Sequence, residues 1–141
     1  PALSSRYCRD LRAAPPLRPM PLAILSADRP WGPLIPDLIA NGTLPADVPP
    51  DFGYVTDAAY SPENRAAILD VADQADLLFI ETTFLDEDAE TAARKYHLTA
   101  RQAGTLAREA RAKRLLPFHF SPKYKRTPDA LVAEARAAFR G

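Results

Sequence analysis

Cysteine occurs once in the 141 residues, at Cys8, which excludes an internal disulfide framework and any Cys-rich zinc site. Histidine occurs only twice, at His97 and His119. No run of 18 apolar residues is present, so no helical membrane span is expected. No charged-then-apolar leader opens the chain, and the expectation is a protein of the reducing cytoplasm. Repeats and low-complexity tracts are absent. Net charge is also absent, because 18 Lys and Arg balance 18 Asp and Glu. What is present, 47% hydrophobic and 26% charged residues, excludes wholesale disorder and allows one domain or part of a larger one.

The zero net charge hides a division. Residues 1–93 carry 6 basic and 15 acidic side chains, a balance of −9, and residues 94–141 carry 12 basic and 3 acidic, a balance of +9. Such asymmetry marks either a half that binds phosphate or nucleic acid, or two halves that attract each other. Proline divides the chain in a similar way. Ten of the 15 prolines lie between Pro15 and Pro50. Each removes an amide donor and blocks regular helix and central strand. Residues 1–51 are therefore expected to be a Pro-rich irregular segment, with one short helix at Leu34–Ala40 and one strand within Leu22–Ser26. Its apolar residues, Met20, Leu25, Trp31, Leu34 and Ile35, suggest that it packs down on something.

From Phe52 onward the punctuation becomes regular. Phe52–Thr56 is a short β-rich run ending at Asp57. Ser61 and Pro62 supply an N-cap and a first-position proline for a helix to about Gln74. Leu77–Ile80 is a continuous apolar run of the kind found in fully buried strands. Residues Asp86–Tyr96 read as a helix with acidic residues first and basic residues last, as the helix dipole favours. Thr99 and Gln102 form a capping box for a helix to about Ala112. Arg114–Phe120 reads as a strand, and Thr127-Pro128 opens a last helix closed by Gly141. This alternation argues an α/β layer with mostly parallel strands over residues 52–141.

In open α/β sheets, sites form beyond the carboxyl ends of the strands. Three strand ends here carry Asp57, Glu81-Thr82-Thr83 and His119. Asp57 can ligate metal, act as a base or serve as a turn residue. Glu81, after four buried-type residues, needs a partner and can be a functional or a structural acceptor. Imidazole is both the usual neutral-pH proton carrier and the commonest zinc ligand. From the residues alone, His97 and His119 are open to three roles: metal site, acid–base pair or structural contact.

Four segments then carry a resemblance: Tyr54-Val-Thr-Asp57, Leu77-Leu-Phe-Ile-Glu-Thr-Thr-Phe84, His97-Leu-Thr-Ala-Arg-Gln-Ala-Gly104 and Pro117-Phe-His-Phe-Ser-Pro-Lys-Tyr124. In order and spacing they closely resemble the C-terminal half of ribonuclease Z-like proteins, which are metallo-β-lactamase-fold hydrolases. The resemblance implies half of an αββα sandwich, one mixed sheet with helices on its outer face. It implies metal-assisted phosphodiester hydrolysis with two divalent ions, zinc first, manganese or iron also possible. Asp57 matches the aspartate that bridges the two ions, and His119 matches a late ligand to one of them. His97 matches a histidine that gives a proton to the leaving oxygen. Ser121, Lys123 and Tyr124 match a loop that could hold a substrate phosphate. Glu81 resembles a residue that orients a ligand or the backbone near it, and Thr99 is placed with it in that supporting shell.

The departures shape the expectation further. The family's His-x-His-x-Asp-His motif is absent, and so is its next histidine ligand. Pro1-Ala-Leu-Ser4 looks like sequence lying just after that ligand. The expected protein is therefore the C-terminal half of a longer hydrolase, inactive and unable to hold a stable metal pair until its N-terminal half is supplied. A homodimer and an RNA or other phosphodiester substrate are compatible partners; a membrane is not. No protruding arm of the kind that grips tRNA has room after Phe52. The alternative is a non-enzymatic fragment or degraded paralogue serving in interaction or assembly. A basic RNA-binding module in residues 94–141 lacks interleaved aromatics and any RNA-binding motif. One face of the sheet is expected to need a cover from a partner, a second copy or the Pro-rich segment.

Overall fold

A computed structural model of the chain describes residues 23–24 and 52–141. The expected helix at Leu34–Ala40, and all of the Pro-rich segment except the strand pair at Ala23–Ile24, lie outside the described residues. Among the described residues the sheet has four strands in the order β1 (Ala23–Ile24), β2 (Phe52–Thr56), β3 (Leu77–Glu81) and β4 (Leu115–Phe118). β1 runs antiparallel to β2, with Ala23 opposite Thr56. β2, β3 and β4 are parallel, with Phe52 opposite Leu77 and Leu78 opposite Leu115. The sheet is mixed, as the resemblance implies.

The helices follow their sequence signals closely at the start and less closely at the end. α1 (Pro62–Ala72) opens with Ser61 Oγ accepting from the Asn64 N–H at 3.1 Å and a proline in the first turn. α3 (Ala100–Glu109) has the full Thr99–Gln102 capping box. It stops short of Ala112 because Arg111 turns left-handed, at φ 58°, and the Ala112 N–H closes back on the Ala107 carbonyl. α4 (Pro128–Arg140) ends at Gly141, although Thr127 contributes no side-chain cap. The helix expected over Asp86–Tyr96 is broken into a 3-10 turn, Asp86–Asp88, and a short α2 (Ala89–Arg94). The acidic side chains of that turn reach outward to other elements: Asp86 to Thr99 and Arg101, Asp88 to Lys123 and Tyr124.

The alternation of strand side chains splits the core into two faces. Val55, Leu78 and Ile80 pack with Ala67, Ile68 and Val71 of α1 and Ala103 and Leu106 of α3. On that side Gly104 lets α3 meet α4, since a β-carbon there would lie 2.1 Å from the Ala135 carbonyl oxygen. The opposite face gathers Phe52, Tyr54, Leu77, Phe79, Leu116 and Phe118, and among the described residues no helix residue joins that cluster. Tyr54 stacks obliquely on Phe118 with ring centres 4.9 Å apart, and Phe52 meets Phe79 edge-on at 6.0 Å. Pro117 sits in β4, the last strand in the order, where one missing donor is tolerated. Among the described residues, no helix is long and apolar enough to cross a membrane.

The charge division resolves into pairing between the two halves. Arg111 meets Asp73 at 2.7 Å, Lys113 meets Asp76 at 2.6 Å, Arg101 meets Asp86 at 3.2 Å and Lys123 meets Asp88 at 2.6 Å. Each joins a basic residue from the second half to an acidic residue from the first.

Candidate metal centre

The three parallel strands deliver their last residues to one edge of the sheet. Asp57 follows β2, Glu81 ends β3 and His119 follows β4. Asp57 and His119 are both left-handed, at φ 53° and 61°, which turns each chain sharply as it leaves its strand. Aspartate and histidine are among the residue types that accept this conformation most readily. His97 arrives from another direction. The end of α2 is closed by the Tyr96 N–H on the Ala93 carbonyl and the His97 N–H on the Ala92 carbonyl, with Tyr96 left-handed between them. That double closure fixes where the chain emerges and places His97 at the sheet edge.

Donor atoms of Asp57, His97 and His119 all lie within 4.8 Å of one another. His119 Nδ1 is 3.9 Å from an Asp57 carboxylate oxygen, and the two imidazole rings sit edge to face with centres 5.4 Å apart. Beneath them is Glu81, fully buried. One of its oxygens accepts the Ala58 N–H at 2.5 Å, and the other accepts the Thr83 hydroxyl and lies 2.7 Å from His97 Nδ1. A carboxylate removed from water needs such partners, and Glu81 has one on each side of the site. The bond from Glu81 raises the His97 pKa above the ordinary imidazole value, against the opposing effect of partial burial. Burial, with the nearby Asp57 charge, likewise raises the Tyr54 hydroxyl.

The other expected site residues have different partners. Thr99, expected to support the site, spends its hydroxyl on the α3 cap and on Asp86 at 3.1 Å. Lys123 and Tyr124, expected to hold a phosphate, are both bound to Asp88, and Tyr124 also accepts the Leu85 N–H. Lys123 is thus paired where it stands, in an exposed contact. Asp88 pulls the Lys123 pKa up, while Lys123 and then Tyr124 pull the Asp88 pKa down. The loop expected to clamp substrate is tied to Asp88 through these two side chains. Ser121 caps the 3-10 turn Pro122–Tyr124, accepting the Lys123 N–H at 3.3 Å. Thr83 and the Ala58 amide were not singled out from the sequence, and only the Glu81-Thr82-Thr83 run hinted at the former.

Residues 47–120, just over half the chain, match the family described as Beta-lactamase superfamily domain. The chain belongs to that superfamily. Within it, the chain is 36% identical over 127 residues to the Ribonuclease Z of Porphyromonas gingivalis, covering 89% of this chain and 40% of that protein. It is 53% identical over 72 residues to the Ribonuclease Z of Thermobifida fusca, covering 50% of this chain and 23% of that one. The crystal structure of the metallo-beta-lactamase fold protein YhfI from Bacillus subtilis superposes with a TM-score of 0.54 at 28% identity, over 64% of this chain and 34% of its own. The chain therefore spans well under half the length of each relative.

Superfamily membership implies divalent metal use, and the donor set can be tested against it. Donors about 2.0–2.2 Å from one ion lie no more than roughly 4.3 Å apart. Asp57 and His119, at 3.9 Å, meet that limit. His97 Nδ1 is already held by Glu81. The residues fit a share of a metal centre: Asp57 and His119 as donors, with His97 Nε2 placed to be a third.

Proposed function

We propose that this chain is the C-terminal half of a metal-dependent hydrolase acting on phosphodiesters, ribonuclease Z-like in type. Asp57 and His119 hold metal and His97 supplies a proton. The observation that carries this reading is the contrast inside the cluster. Asp57 and His119 face each other, the imidazole having no partner closer than 3.4 Å among the described residues, whereas His97 is gripped at 2.7 Å by a buried carboxylate. A divalent pair, zinc with manganese or iron as alternatives, would supply Lewis acidity and a nucleophile at neutral pH when bound.

The chain's own residues do the rest. With Nδ1 donating to Glu81, His97 keeps Nε2 for the leaving oxygen, and the same bond favours the protonated ring that an acid requires. The Ala58 amide and Thr83 hydroxyl keep Glu81 fixed while the proton moves. Ser121, two residues past His119, keeps its O–H for a substrate oxygen.

Alone, the chain should take up zinc or manganese weakly and leave bis-p-nitrophenyl phosphate unhydrolysed. Joined to a half carrying His-x-His-x-Asp-His, it should hydrolyse that ester. Strong hydrolysis by the 141 residues alone would contradict the reading. No gain on completion would favour a non-enzymatic assembly module.

A further inference from the structure

Lys123 was the cation expected to meet the substrate, and Asp88 has claimed it. Another cation stands closer to the proton donor. The Lys95 ammonium lies over the Phe84 ring, 5.9 Å from its centre, and the same ring packs against His97 at 6.2 Å. Its charge is felt at the His97 imidazole. Among the described residues, Lys95 has no ion-pair partner. An exposed ammonium held beside a catalytic imidazole without a carboxylate is free to take a phosphate.

The next residue is stranger. Tyr96 occupies the left-handed position that closes α2, at φ 59°, where glycine or asparagine is usual. A bulky aromatic side chain there is a backbone outlier. Its side chain is not drawn into the core in return, since Tyr96 is 42% exposed. Gln74 and Arg111 are also left-handed, but they lie at the far ends of α1 and α3 and are polar. Tyr96 is the one aromatic residue of this set and sits next to His97. Strain of this kind persists where function uses it.

We propose that Lys95 and Tyr96 form the nucleotide-contacting edge of this site, the ammonium taking a backbone phosphate and the exposed ring stacking on the base beside the scissile linkage of single-stranded RNA. The inference rests on the phosphodiesterase reading and narrows it. An aromatic face accepts any base, so stacking supplies affinity without sequence preference. It also assigns the contact to an unpaired base, since a base within a duplex has no free face to offer.

The test is a fluorescence-anisotropy titration with a labelled RNA hexamer and an abasic hexamer of equal length. EDTA is present to prevent cleavage. Both the 141-residue chain and the protein completed by its other half are titrated. The RNA should bind more tightly than the abasic strand. Tyr96→Asn, which keeps the left-handed backbone and removes the ring, should weaken RNA binding by about fivefold or more and erase the preference over the abasic strand. It should also raise Tm by a few degrees, which a packing role would not allow. Tyr96→Phe should bind RNA as the parent does. Lys95→Gln should weaken both strands and reduce the slope of log affinity against log salt by about 0.7. Equal binding of the two strands by the parent, or unchanged RNA binding in Tyr96→Asn, would overturn the proposal. Hydrolysis of bis-p-nitrophenyl phosphate is scored separately, so failure of the hydrolase reading is seen apart from failure of this one.

Discussion

The two histidines sit 5.4 Å apart and are held in opposite ways. His97 follows a doubly closed helix end, is mostly buried at its side chain and is fixed by Glu81 at 2.7 Å. His119 follows a strand in left-handed conformation, is 42% exposed at its side chain, and has its neighbours at 3.4 to 3.9 Å. One imidazole has its inner nitrogen bound to Glu81, and its outer nitrogen has no hydrogen-bond partner among the described residues. The other has no bond of ordinary length among the described residues. A ring that must present a proton needs a rigid second partner, because tautomer and direction are set by what the other nitrogen bonds. A ring that binds metal gains its strongest partner only when the ion arrives.

The largest effect that could break this contrast lies in turnover. In the completed, metal-loaded protein, His97→Ala should lower kcat by about 10²–10⁴-fold, the range for positioned proton transfer. Loss should be greatest with a poor leaving group and small with p-nitrophenolate, which needs little protonation. Equal losses on both would mean that His97 does something other than give a proton.

Next in size is the support beneath it. Glu81→Gln keeps the shape but replaces an acceptor by a donor facing the Ala58 amide, the Thr83 hydroxyl or His97. Unmatched buried polar groups cost about 1–3 kcal/mol each, so urea denaturation should show a loss of roughly 2 kcal/mol or more. His119→Ala, by contrast, should leave metal-free stability nearly unchanged, because no described residue holds that ring closer than 3.4 Å.

A smaller effect should appear with pH in the metal-free chain. The folded-state pKa of His97 is raised, so its bond to Glu81 adds stability that is fully present below the unfolded-state value of about 6.5. That stability is lost as pH rises through the higher folded-state value. Thermal melts between pH 5 and 9 should show the decline, and His97→Gln should flatten it. Because His97 is partly exposed, the amplitude should be modest.

Smallest should be the change at the Lys123–Asp88 pair. Lys123→Ala removes an exposed, solvent-screened ion pair and should leave hydrolysis of a simple diester within about twofold. A tenfold loss would return Lys123 to the substrate loop that the sequence first suggested.

The elements that position the site were legible because their signals are local. Ser61-Pro62, Thr99 with Gln102 and the apolar run at Leu77–Ile80 each announce themselves within a few residues, and α1, α3 and β3 begin where those signals say. The strand-end rule then places Asp57, Glu81 and His119 on one edge before any coordinate is known. The misread parts depend on distant partners. Asp88 looks like a first-turn helix residue, yet its carboxylate belongs to Tyr124, 36 residues away, and to Lys123. Thr99 lies beside His97 in sequence, but its hydroxyl donates to Asp86 and accepts the Gln102 N–H of the α3 cap, partners that its position next to His97 does not announce. The left-handed turn at Tyr96 carries no sequence signal, since a tyrosine stands where glycine would have shown it.

The division of labour between the two histidines is tested most directly by metal content. The completed protein and its His97→Ala and His119→Ala variants would be dialysed against the same buffered zinc and measured by inductively coupled plasma mass spectrometry. The expected result is parental zinc in His97→Ala and reduced zinc in His119→Ala, with activity lost in both. Zinc lost from the His97 variant, or fully retained in the His119 variant, would contradict the assignment of ligand and proton donor.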